Sequence, residues 1–202
     1  MSNSLDLPTR TASVERTTSE TDVHVDVSLD APAAFDNITG LGFLDHMLDL
    51  TAKHGGFDLA VRCEGDLHVD DHHTAEDVGI ALGKAFRQAL GDKAHVARYG
   101  HAYVPMDDAL ARAVVDLSGR FYLAFEADFS RERVGDLSTE MVKHFWRSFA
   151  EHAACNLHVT LLRGENAHHQ VEAVFKAVAR ALRAATRRDA SRDEVASTKG
   201  AL

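Results

Sequence analysis

A chain that carries the same uncommon set of side chains twice, in the same order and at nearly the same spacing, is read most simply as two related halves. His46 and His54 bracket the segment HMLDLTAKH, and His144 and His152 bracket HFWRSFAEH. Downstream, His72-His73-Thr74-Ala75-Glu76 and His168-His169-Gln170-Val171-Glu172 both read HHxxE. The first pair of segments is offset by 98 residues and the second by 96, so one two-residue difference in a connecting loop accounts for all of them. Residues 57–63 and 155–161, which lie between the paired segments, also align at 98.

Hydrophobic periodicity supplies the elements. Alternation in Val23-His24-Val25-Asp26-Val27-Ser28-Leu29, in 57–63 and in 157–161 predicts half-buried strands, and 113–115 and 121–125 are further strand segments. Val78, Ala81/Leu82, Ala85/Phe86 and Ala89/Leu90 recur at helical steps, as do Val174, Val178 and Ala181/Leu182, so an amphipathic helix follows each HHxxE. Residues 44–54 and 140–153 read as helices too. The expected fold is α+β, with two pseudo-symmetric halves, each a small β-sheet with helices, and the helices sandwiched between the two sheets. The expected organisation is a flexible tail over 1–15, one catalytic domain over 16–196 with halves of about 16–110 and 111–190, and a C-terminal phosphate-binding tail over 197–202.

Charge and cysteine content narrow the partners. With 22 Lys+Arg against 31 Asp+Glu the net charge is −9, which argues against nucleic acid or an anionic membrane as a partner. Cys63 and Cys155 form no CxxC pattern, so neither a disulfide framework nor a thiolate zinc site is expected and a reducing cytoplasm fits. No apolar run reaches the roughly 18–20 residues that span a bilayer, and the first residues lack a signal-peptide core.

The repeated histidines carry the chemistry. On a helix, residues three and four apart share a face, so HHxxE presents both histidines and the glutamate near the first turn, with Asp70 or Asp71 placed to cap it. Metal ligation is expected at His72, His73, Glu76, His168, His169 and Glu172, joined by His46 and His144, whereas His54 and His152 lie at helix ends where capping competes. Adjacent histidines diverge by about 100°, so His72 and His73 should serve different sites. Imidazole and carboxylate without thiolate suit Mn, Fe, Co, Ni or Zn, with oxygen ligands favouring Mn. His24, His68, His95, His101 and His158 fall outside the repeat and are read as ordinary structural residues.

Lys176 lies one helical turn beyond Glu172, where the first half has Ile80, so one half has a cation that the other lacks. Arg98, Arg120, Ser197 and Lys199 are the other groups suited to a phosphate. Two functions are consistent with these residues taken alone: a metal-storage or metal-sensing module, and a dinuclear metallohydrolase.

The segments TGLGFLDHMLDL, DDHHTAEDVGIALGKA and YVPMDDALARAVVDLSGR, the second HHxxE followed by KAVARALR, and the terminal STKG resemble the imidazoleglycerol-phosphate dehydratase family of histidine biosynthesis from about Arg16 to Gly200. The resemblance implies a hydro-lyase that converts imidazole glycerol phosphate to imidazole acetol phosphate with two Mn2+ per active site. It implies metal ligands at His46, His72, His73, Glu76, His144, His168, His169 and Glu172, drawn from neighbouring subunits, and phosphate contacts from Arg98, Arg120, Lys176, Ser197 and Lys199. Glu20 and Asp107 match acidic active-site positions and His54 a further pocket residue, with Glu20 the expected general acid or base. Leu50 stands where many members carry Gln. The family forms trimers that assemble into 24-subunit cages. The chemistry suits such a site: a hydroxyl leaves the carbon next to the imidazole and a proton leaves a carbon that no carbonyl acidifies. An imidazolate held by metal, passing through a diazafulvene-like intermediate, provides a route.

Overall fold

The alternating segments pair into two sheets of one design. The structure is a computed structural model and describes residues 8–189, 194–200 and 202. The first half contains β1 (Thr11–Thr17), β2 (Thr21–Ser28), β3 (Phe35–Ile38), α1 (Gly42–Gly55), β4 (Asp58–Gly65) and α2 (His72–Leu90). The second contains β5 (Tyr99–Met106), β6 (Ala109–Asp116), β7 (Tyr122–Glu126), a short hairpin of β8 (Arg133–Val134) and β9 (Leu137–Ser138), then α3 (Thr139–His152), β10 (Asn156–Arg163) and α4 (Ala167–Thr186). The strand orders β1-β2-β4-β3 and β5-β6-β10-β7 correspond, down to the parallel pairing of β3 with β4 and of β7 with β10.

Two expected boundaries are corrected. Thr11 to Glu15, assigned to a flexible tail, belong to β1, which pairs with β2 from Thr11↔Ser28 to Thr17↔Asp22 and buries Val14. Residues 1–7 of that tail lie outside the described residues. The halves meet before Tyr99 rather than near 110, because a cut at 110 would split the β5–β6 hairpin, which is paired from Tyr99↔Asp116 to Met106↔Ala109. An acidic turn closes this hairpin, so its position carries no hydrophobic signal.

The four helices lie between the sheets. α2 covers β1, β2 and β4, and α4 covers β5, β6 and β10, while the helices pair crosswise, α1 with α4 and α2 with α3. Each half therefore packs its first helix against the other half's second. A chain of aromatic edge and tilted contacts, Phe57–Phe86–Phe149–Trp146–Phe175, runs through this layer with ring centroids 4.9–5.5 Å apart. The α2–α3 approach depends on two glycines: a Cβ on Gly83 would lie 2.5 Å from the Phe149 carbonyl oxygen, and one on Gly79 2.8 Å from that of Phe145. The equivalent positions of α4 are Phe175 and Ala179.

Loops hold the helix starts where the histidines emerge. Asp70, not Asp71, accepts the His72 amide (2.8 Å), while buried Asp71 reaches to the Ser138 amide and hydroxyl at the start of α3. Asn166 caps α4 by accepting the His168 amide (2.9 Å), and Asp136 accepts the Gly42 and Phe43 amides that open α1.

Candidate metal centres and phosphate cluster

The crosswise pairing of helices builds two like clusters, each drawn from both halves. In one, His46 of α1 meets His168 and Glu172 of α4; in the other, His144 of α3 meets His72 and Glu76 of α2, and within each set the nearest donor atoms all lie within 4.8 Å of one another. His168 Nε2 is 3.1 Å and His46 Nε2 3.7 Å from Glu172 Oε2. His144 Nε2 is 2.8 Å from Glu76 Oε1, and the His72 and His144 rings lie 4.6 Å apart. Two imidazoles and a carboxylate converging in each cluster form a donor set for a divalent cation of the Mn-to-Zn series, and three ligands leave coordination positions open. The residues fit such an ion.

His73 and His169 diverge from their neighbours and join neither cluster. His73 Nδ1 lies 3.0 Å from Asp66 and its Nε2 3.7 Å from Glu20; His169 Nδ1 lies 2.6 Å from Asp108 and its Nε2 3.5 Å from Asp107. The two arrangements correspond, since Glu20 and Asp107 sit in the β1–β2 and β5–β6 turns, which are equivalent in the two sheets. The hydrogen bonds that Asp66 and Asp108 accept from His73 and His169 raise the pKa of each histidine. A carboxylate on Nδ1 turns Nε2 outward, the arrangement in which outer carboxylates orient metal-binding histidines. Asp108 also accepts the Glu165 and Asn166 amides, which holds its carboxyl well below the usual range. Sequence reasoning passed over Asp66 and Asp108. One lies seven residues before its histidine and the other 61, so no shared spacing marks them.

The expected phosphate residues fall in two places. Arg98, Arg120, Ser197 and Lys199 line one depression of about 580 Å3, with Arg98 bonded to Asp116 (2.7 Å) and to the Ala196 carbonyl (2.6 Å). Lys176 is not among them. It ion-pairs with Glu172, and with His168 it holds that carboxyl below its ordinary pKa against the opposing effect of burial. Among the described residues no contact joins His54 to Glu20 or Asp107, so the three catalytic candidates are dispersed within one chain. His54 sits beside Lys176 and Arg180, and burial and these cations lower its pKa. His152, its counterpart, bonds to the Ser148 carbonyl of its own helix. Leu50 packs against the core.

Residues 39–182 match the family model described as imidazoleglycerol-phosphate dehydratase. The chain is 69% identical over 193 residues to imidazoleglycerol-phosphate dehydratase of Salinibacter ruber, covering 96% of each chain. It is 52% identical over 202 residues to that of Rhodopirellula baltica, covering both completely. Its fold is similar to the crystal structure of imidazoleglycerol-phosphate dehydratase from Staphylococcus aureus, with a TM-score of 0.79 and 42% identity, over 88% of this chain and 99% of that one.

Proposed function

The chain belongs to the imidazoleglycerol-phosphate dehydratase family, hydro-lyases of histidine biosynthesis, and from that premise we propose how it removes water from imidazole glycerol phosphate to leave imidazole acetol phosphate. The observation that carries the reading is the pair of matched His2Glu clusters, each built across the two halves. His46, His168 and Glu172 would hold one cation and His72, Glu76 and His144 the other, with Mn2+ the expected ion. Bound there, such cations supply Lewis acidity that lets the substrate's imidazole carry negative charge without a proton.

The chain's own residues do the rest. Arg98 and Arg120 offer guanidinium groups, and Ser197 and Lys199 a hydroxyl and an ammonium, to the phosphate, which anchors the substrate at the end away from its ring. Glu20 and Asp107, whose carboxylates lie beside His73 and His169, give and take protons as the hydroxyl leaves one carbon and a proton leaves the next. The resulting enol then becomes the ketone. The outward Nε2 atoms of His73 and His169, and the separation of Lys176 from the other phosphate residues, support a site completed by a second copy of the chain, in trimers of a 24-subunit assembly. Among the described residues no helix is long and apolar enough to cross a membrane.

Incubating the Mn-loaded protein with imidazole glycerol phosphate tests the reading. A ketone that retains its phosphate supports it. Release of inorganic phosphate would favour a metallohydrolase, and bound metal with no turnover a storage role.

A further inference from the structure

The face of α4 that bears His168, Glu172 and Lys176 continues as Arg180, Arg183 and Arg187, at steps of three and four residues that keep them in one stripe. All three arginines are exposed, and none has a carboxylate at ion-pair distance among the described residues. Neighbouring cations are instead neutralised, Arg10 and Arg188 by Asp30, Arg98 by Asp116 and Lys176 by Glu172. Three guanidinium groups with no carboxylate partner among the described residues, in a chain of net charge −9, make a local positive field in an otherwise acidic molecule. Interaction with the helix dipole accounts for a cation in the last turn, but not for Arg180, six residues before the end of α4.

The stripe borders a cleft of about 1000 Å3 that is also lined by Gly55, Gly56 and Gly100. Tyr99 lines this cleft and also the depression that holds Arg120, Ser197 and Lys199. The Arg98 amide donates to the Ala185 carbonyl (2.9 Å), so the two basic surfaces adjoin. The other half is different. The matching positions of α2 are Ile80, Lys84, Arg87 and Gly91, and the last three line a depression of about 580 Å3 together with Glu151.

We propose that this cleft is a second, non-catalytic docking site for phosphate monoesters, which captures the substrate by its phosphate and passes it along α4 towards the His46/His168/Glu172 cluster. The role in capture rests on the dehydratase reading above. His54, lowered in pKa first by burial and then by Lys176 and Arg180, lies within reach of the same field.

The test is the triple variant R180Q/R183Q/R187Q, assayed as the Mn-loaded enzyme across ionic strength. Its kcat/KM is expected to fall about tenfold at low salt, with kcat changed by less than about twofold. The gap should close near 1 M salt, where the screening length is about 3 Å. The triple lysine variant should keep the wild-type kcat/KM, because docking needs charge rather than a particular fork. K84Q/R87Q on α2 should change kcat/KM little. An unchanged kcat/KM in the glutamine variant, a loss that salt does not relieve, failure of the lysine variant, or an equal loss in K84Q/R87Q would each overturn the proposal. If the wild-type chain forms no ketone, the dehydratase reading fails by itself. The docking site is then decided by phosphorus NMR of inorganic phosphate: greater line broadening by wild type than by the glutamine variant supports it, and equal broadening overturns it.

Discussion

The cluster around Glu76 and the cluster around Glu172 hold the same ligands in different surroundings. Glu76 retains 36% of its side-chain exposure and has Ile80 one turn on; Glu172 retains 7% and is paired with Lys176. The helix pair behind the first is drawn together by Gly79 and Gly83, whereas the second has Phe175 and Ala179 at those places. On the proposed reading, coordination demands particular donor atoms converging on a point, which accounts for the same three side-chain types recurring in both halves. Nothing about coordination dictates the next turn of the helix, and there the halves differ in charge. The difference gives a nearly symmetric frame one basic face, the direction that an asymmetric, phosphorylated substrate needs.

The comparison breaks most visibly at the carboxylates. Glu172→Gln and Glu76→Gln should each remove about one ion per chain and lower turnover about 100-fold or more, read by metal analysis and ketone formation. If only one does so, the clusters are not equivalent. Next is the helix spacing. Gly83→Ala should destabilise by about 1–3 kcal/mol, because the methyl meets backbone, whereas the reverse change at the matching site, Ala179→Gly, should cost about 1 kcal/mol. Thermal or denaturant unfolding measures both.

A charge exchange sharpens the contrast further. Lys176→Ile should tighten metal binding at the Glu172 cluster about tenfold, the equivalent of one pKa unit of interaction, and Ile80→Lys should weaken the other by a similar factor. Competitive titration with a metal indicator would show both, and the same sign in the two variants would contradict the charge argument.

The smallest effect concerns pH. In the metal-free protein His169 is more basic than in the unfolded chain, chiefly through Asp108, so its contribution to stability is complete below about pH 6.5 and is lost as pH rises through the higher folded value. Asp108 is more acidic than when unfolded, so its contribution is present above about pH 4 and is lost as pH falls. Asp108→Asn should flatten both slopes in a melting-temperature profile, and Asp66→Asn should flatten the upper one through His73. An unaltered profile in either would show that the carboxylate does not set its histidine's protonation.

Much of this was legible in the residues themselves. Period-two and period-3.6 patterns revealed the strands and helices because their apolar faces repeat along the chain, and the twin HHxxE segments identified the ligand types. The strand over Thr11–Thr17 was missed because it is a mostly exposed edge with Val14 as its one buried residue. The joint was misplaced because a polar turn such as Asp107-Asp108 looks the same inside a half as between halves. Asp66 and Asp108 went unnoticed because each reaches its histidine through space rather than through a repeated interval.

By itself the sequence determined that there are two halves and what each is made of, and it marked the side chains suited to hold a metal, since these follow from local periodicity and from the chemistry of imidazole and carboxylate. Only the tertiary structure decided that His46 meets Glu172 and His144 meets Glu76, each across the joint, while His73 and His169 turn away to Asp66 and Asp108. Which helix lies against which is set by how the whole apolar layer packs, with Gly83 admitting α3 and Phe175 filling the other side, and no short stretch of sequence contains that sum.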